Sequence, residues 1–269
     1  MRVAIVQPIT HRPPEDEANV ATAITHIAAA AAEGAELVCF PETYPGPWRM
    51  PMSFDPRQAI VEAAAEHEVH VQYGTLEPVE TSERQAFNVL VLVGPSGEVG
   101  TYRRTHPPGP WIYAEGDEWD FEYVAGSEFP VFRAGGTVIG LAMCSEVYVP
   151  EVTRSLALQG AEIILLPAGT DKRDLWQTWR HLIWARAIEN LAYVITTQNL
   201  FDPRESGLAM AAGPETVLFE AEGPGRFLID LDLDRIRELR AGTDGPASSE
   251  KVKTGLLDQW HRPEIFRRR

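Results

Sequence analysis

The sequence predicts a mixed α/β fold, built either as one mixed sheet or as two sheets with helices outside. Three observations lead there. Short apolar runs alternate with segments of helical period. Some neighbouring apolar runs are joined by tight Gly-containing turns and others by whole helices, which mixes antiparallel with parallel pairing. No internal repeat or low-complexity linker divides the 269 residues, so a single domain over 1–269 is expected.

The elements follow in order. RVAIVQ (2–7) reads as a buried strand, and the Ala-rich segment 17–34 as a helix stopped by Gly34. ELVCF (36–40) is a second buried strand, so a parallel pair joined by a helix is expected. IVEAAAEHE (60–68) is a helix, VHVQYG (69–74) a strand, and 88–104 two strands around Pro-Ser-Gly. Residues 130–144 read as a hairpin whose second strand ends at Cys144. PEVTRSLALQG (150–160) is a helix, AEIILLP (161–167) a strand, 174–190 a long helix and LAYVITTQN (191–199) a strand. Residues 207–233 hold up to three strands, and DRIRELR (234–240) a last helix before a polar tail. In the long helix, Trp176, Trp179, Arg180, Ile183 and Trp184 form a stripe that predicts a buried face, with a subunit contact as its partner.

Composition excludes several classes of function. The formal charge of −15 argues against nucleic acid and against an anionic membrane surface. No apolar run reaches the ~18–20 residues that span a bilayer, and the N-terminal stretch meets Pro8 too early for a signal peptide. Two cysteines, Cys39 and Cys144, imply no disulfide framework and a reducing, cytoplasmic setting. The seven histidines show no ligand spacing such as H-x-x-x-H, so no metal is expected. The basic RRR at 267–269 reads as a solvated tail.

Three stretches carry candidate chemistry. In LVCFPETYPGPW (37–48), Glu42 follows a strand end and is either a general base or a solvated loop acid. In AMCSEVYVPE (142–151), Cys144 is either a nucleophile followed by oxyanion-binding N–H groups or a small buried hydrophobe. The loop GTYRRTHPPGPWIYAEGDEW (100–119) is long and crowded with charged and aromatic residues, a form common at functional sites.

Taken together, VAIVQ, FPET, CSEVYVPE and WARAIEN followed by YVITTQN resemble, in this order, the motifs of the nitrilase superfamily, the carbon–nitrogen hydrolases. The resemblance covers nearly the whole chain. It implies a four-layer α-β-β-α sandwich of two mixed sheets flanked by helices, and a glutamate–lysine–cysteine triad. Glu42 then falls in the place of the general base and Cys144 in that of the nucleophile. The lysine motif departs from the pattern: this chain reads YRRTH, so Arg104 stands where lysine is usual. Arginine keeps the charge and adds donors, but its head is larger and does not release a proton near neutral pH.

PWIYAEG (110–116) resembles the amidase branch and points to Glu115 as a second site carboxylate, with Glu118 as the alternative. The resemblance thus implies a cofactor-free hydrolase forming a thioester from a small amide or nitrile, with the Ser145 backbone at the oxyanion. Trp48, Trp111, Tyr148 and Trp176 are the expected substrate wall. A homodimer or higher homo-oligomer is expected, with the tail from about residue 245 as one contact. Two alternatives stay open: a non-catalytic binding or regulatory protein on the same scaffold, motivated by Arg104, and a nitrilase or acyl-transferring enzyme using the same thioester chemistry.

Overall fold

The structure is a computed structural model describing residues 1–107, 119–169, 175–242, 249 and 251–265. The first half of the chain forms β1 (Arg2–Gln7), α1 (Ala18–Ala32), β2 (Leu37–Cys39), α2 (Arg57–Glu66), β3 (His70–Pro78), β4 (Gln85–Gly94), β5 (Gly97–Arg103) and β6 (Glu122–Tyr123). The second half forms β7 (Val131–Ala134), β8 (Thr137–Leu141), α3 (Pro150–Leu158), β9 (Ile163–Leu165), α4 (Trp176–Asn190), β10 (Tyr193–Thr196), β11 (Ala209–Ala212), β12 (Val217–Ala221), β13 (Gly225–Asp230) and α5 (Leu233–Ala241).

The strands make two mixed sheets. One runs β13-β1-β2-β3-β4-β5, with β6 beside β4; the other runs β12-β11-β10-β9-β8-β7. In the first, β1, β2 and β3 are parallel and the hairpins β3–β4–β5 are antiparallel. In the second, β8, β9 and β10 are parallel. The last two strands part: β12 lies at the edge of the second sheet, while β13 joins the first and pairs antiparallel with β1 over its full length. Sequence spacing alone does not reveal this exchange.

Alternation along the strands explains the layers. Val3 and Ile5 of β1, Leu37 and Cys39 of β2, and Leu90 and Leu92 of β4 join the core shared with the second sheet. Their neighbours Ala4, Val6, Val38, Val89 and Val91 pack instead with Ile27 of α1 and Ile60 of α2. On the far side, Leu156 of α3 lies against Gly140 of β8, and Trp179 and Ile183 of α4 are buried members of the same apolar cluster. The result is the expected four-layer sandwich.

Three local expectations change. The strand before Cys144 stops at Leu141, and Cys144 opens a 3-10 turn, Cys144–Tyr148. On α4 the buried stripe runs through Trp176, Trp179, Ile183, Arg186, Ala187 and Asn190. Trp184 is 37% exposed, and Arg180 reaches sideways to pair with Glu220. The 3.6-residue period explains the difference: Trp184 lies about 100° from Ile183 and leaves the inward face.

Helix α5 is fixed by charge as well as packing. Arg235 donates to both carboxylate oxygens of Glu215 at 2.8 and 2.9 Å, and Ser249 donates to the same group at 2.6 Å. The Arg235 hydrogen bond is the main cause that lowers the Glu215 pKa to about 2. A carboxylate whose folded pKa is depressed stabilises the fold above its unfolded value, and that contribution is lost as pH falls through the folded value. Glu215→Gln is therefore expected to cost about 1 kcal/mol near pH 6, after allowance for solvent screening. Urea unfolding at stepped pH should show this difference shrinking between the ordinary glutamate pKa and about pH 2.

Candidate active site

The C-terminal ends of the parallel strands from both sheets meet at one place, the usual position for a site in such folds. Beyond β2, Phe40 N–H still bonds to Gln72, and the chain then reaches Glu42. The Glu42 backbone is tied to the second sheet: its N–H donates to Ala168 O at 3.4 Å, and its carbonyl accepts from Asn199 Nδ2 at 2.8 Å. The next residue, Thr43, has φ of 51°. A Cβ on Gly74 would lie 2.2 Å from Thr43 N, so only glycine in β3 admits this approach.

Arg104 follows β5 directly and is fully buried. Its three guanidinium nitrogens have different partners. Nη1 donates to Glu42 Oε1 at 2.7 Å, Nη2 to Ser145 Oγ at 2.7 Å, and Nε to the His106 carbonyl at 3.1 Å. Asn88 Nδ2 supplies a second donor to Glu42 Oε1 at 3.1 Å. The Glu42 and Arg104 side chains are 3% and 0% exposed, so this is a desolvated ion pair whose geometry must be good to be tolerated.

Cys144 sits at the turn after β8 with φ of 52°, in the left-handed region that side chains seldom adopt. Its N–H bonds to Pro167 O at 2.8 Å, which holds it to the end of β9. Burial pushes its thiol pKa up to about 12; the Glu42 charge acts the same way, and Arg104 opposes it. The Glu42 carboxylate and the Arg104 guanidinium both act on this thiol. A protonated thiol beside a carboxylate suits proton transfer coupled to attack, rather than a standing thiolate. Gly169 also borders the site: a Cβ there would fall 2.9 Å from Glu42 Oε2 and 2.9 Å from the Trp119 ring.

The structure thus brings Glu42, Arg104, Cys144 and Ser145 together. The Ser145 hydroxyl adds a contact the sequence does not show: it accepts from Arg104. Trp48 is fully buried behind the site, stacked on Trp119 at 5.4 Å and donating its N–H to Thr43 O. Trp176 is 4% exposed at the start of α4. Tyr148 is 44% exposed, and its hydroxyl accepts from Trp179 Nε1 at 2.8 Å, on the side of α4. Glu115, Glu118 and Trp111 lie outside the described residues. Among those described, no group of three or more His, Cys, Asp or Glu is arranged to hold a metal ion.

Sequence reasoning missed Glu146, Asn88, Asn199, Trp119 and Gly169. Two had a readable signal. Glu146 is an acid within an otherwise uncharged run, GLAMCSEVYV, and Asn88 opens the apolar run NVLVLV. Both are fully buried, and buried polar groups need partners.

Comparison with known proteins agrees with this architecture. The chain is 28% identical over 260 residues to an (R)-stereoselective amidase of a Pseudomonas species, covering 91% of this chain and 89% of that one. It is 29% identical over 251 residues to deaminated glutathione amidase from Synechocystis, covering 86% and 92%. Its fold matches an amidase from Nesterenkonia with a TM-score of 0.75 at 23% identity, over 90% of this chain and 94% of that one. The profile of the carbon–nitrogen hydrolases matches residues 2–240, and the chain belongs to that family.

Proposed function

We propose that this cysteine-dependent carbon–nitrogen hydrolase acts as an amidase on a small amide or carbamoyl compound, through a thioester on Cys144. The observation that carries the reading is the buried cluster of thiol, carboxylate and guanidinium at the shared strand ends. Relatives named as amidases support the substrate class. A variant of the Nesterenkonia amidase solved with acrylamide added at its active-site cysteine supports a reactive thiol in this fold.

In the proposed cycle Glu42 accepts the Cys144 proton as sulfur attacks the amide carbon. Arg104 and the backbone N–H of Ser145 stabilise the oxyanion. Glu42 returns the proton to the departing nitrogen, and the C–N bond breaks to leave a thioester. Glu42 then deprotonates water, which attacks the thioester carbonyl; the C–S bond breaks, the acid leaves, and Glu42 returns its proton to the sulfur of Cys144. Arg104 remains protonated throughout, as its chemistry requires. Each step uses only groups of the chain itself and water, without metal or organic cofactor. Glu115, with Glu118 as alternative, completes the site as an orienting acid, and Trp48, Trp111, Tyr148 and Trp176 shape its surroundings.

The setting proposed is cytoplasmic, as a homo-oligomer of a single domain with the tail from about residue 245 at a contact, acting on small molecules rather than on nucleic acid or membrane. Among the described residues no helix is long and apolar enough to cross a bilayer. A panel of small amides, carbamoyl compounds and nitriles tests the reading by ammonia or amine release. Turnover of an amide or carbamoyl compound with free acid as product is expected; turnover of nitriles alone, or of none, would contradict it.

A further inference from the structure

We infer that Glu146 is a positioning residue that locks the arginine loop to the cysteine turn, an inference that rests on the hydrolase reading above. Its side chain is fully buried and gathers five donors. Oε1 accepts from Tyr102 OH at 2.6 Å, Thr105 N–H at 3.0 Å, Thr105 Oγ1 at 2.7 Å and His106 N–H at 3.0 Å. Oε2 accepts from Met143 N–H at 2.7 Å.

The two sets of donors bracket the two reactive side chains. Tyr102, Thr105 and His106 flank Arg104, and the His106 carbonyl itself receives Arg104 Nε. Met143 and Glu146 flank Cys144. One carboxylate therefore fixes the end of β5 relative to the left-handed turn after β8, two segments about forty residues apart in sequence. Separation of sulfur from guanidinium depends on this link, and small misplacements of reacting groups can cost about 100-fold in rate.

The charge matters, not only the shape. Both oxygens of Glu146 face donors, so a carboxylate satisfies every bond. An amide in its place keeps its oxygen toward the four donors at Oε1 and turns its NH2 toward Met143 N–H. Two donors then face each other at the residue preceding Cys144, and the turn must shift. Tyr102 shows the same coupling from the other side: burial first, then the Glu146 charge, raises its phenol far above the ordinary range.

The test compares Glu146→Gln with Glu162→Gln. Glu162 is another buried carboxylate, bonded to Thr137 Oγ1 and Arg237 Nε at 2.7 Å each, but it precedes β9 at the opposite strand end. Both variants are expected to lower the melting temperature. Only Glu146→Gln is expected to lower kcat on a hydrolysed amide, by about 10–100-fold, with KM changed much less. It should also alter the rate at which iodoacetamide alkylates Cys144, a readout that does not require turnover. Tyr102→Phe, which removes one donor and leaves the carboxylate, is a milder variant expected to lower kcat several-fold should Glu146→Gln not fold. Unchanged kcat and alkylation in Glu146→Gln, or in Tyr102→Phe if only that variant folds, would overturn the inference, as would an equal loss of kcat in Glu162→Gln. Cys144→Ala tests the parent reading separately: full activity there would sink the hydrolase mechanism, whatever Glu146 does.

Discussion

Cys144→Ala is expected to abolish amide turnover, by at least about 1000-fold, while leaving the fold intact. In the proposed mechanism this removes the nucleophile and leaves only binding and oxyanion stabilisation, so losses of this size or larger are usual. The substitution deletes one sulfur from a residue that is 8% exposed and held by its backbone N–H to Pro167 O, so circular dichroism and melting should change little. Ammonia release from the best amide is the measurement. The same substitution at Cys39, which packs between the sheets, should leave turnover near wild type.

Arg104→Leu is expected to remove activity and to destabilise the protein by about 3–5 kcal/mol, because deleting one partner of a buried ion pair leaves the other uncompensated. Glu42 would keep only Asn88 among the donors described at its Oε1, and the His106 carbonyl would lose its guanidinium donor. Arg104→Lys is the informative companion. Lysine keeps the charge beside Glu42, but one ammonium does not reach Glu42, Ser145 and the His106 carbonyl with the planar spread of the guanidinium. Activity about 10–100-fold lower is expected, in line with the loss of one preorganised donor from a reacting centre. A gain on this change would mean that arginine impairs hydrolysis and would revive the non-catalytic reading. Steady-state kinetics with urea denaturation separate the catalytic loss from the structural one.

Why could so much of this be read in advance? The strands that are buried on both faces, such as β1 and β2, are short apolar runs bounded by polar or glycine residues, and their signal is local. Helices α1 and α3 carry their own stop or start signals in Gly34 and Pro150. Glu42, Arg104 and Cys144 were legible because each follows a strand within a family motif. What stayed hidden is set by long-range geometry. The exchange of β13 into the first sheet depends on packing across more than two hundred residues. The partners of Glu146 lie about forty residues upstream, so the motif displays the acid but not its purpose. The Ser145 hydroxyl was passed over for its backbone because only the coordinates show Arg104 Nη2 pointing at it.

Intact-mass and peptide mapping after brief iodoacetamide treatment near neutral pH tests the central claim most directly, because the chain carries its own control. Cys39 and Cys144 are both buried free thiols, 2% and 8% exposed, but the Glu42 carboxylate and the Arg104 guanidinium act on the thiol of Cys144, and burial alone acts on that of Cys39. One adduct per native chain, mapped to Cys144 with Cys39 unmodified, is the predicted result. A native protein in which Cys144 stays unlabelled, while the unfolded chain takes up two adducts, would contradict the account.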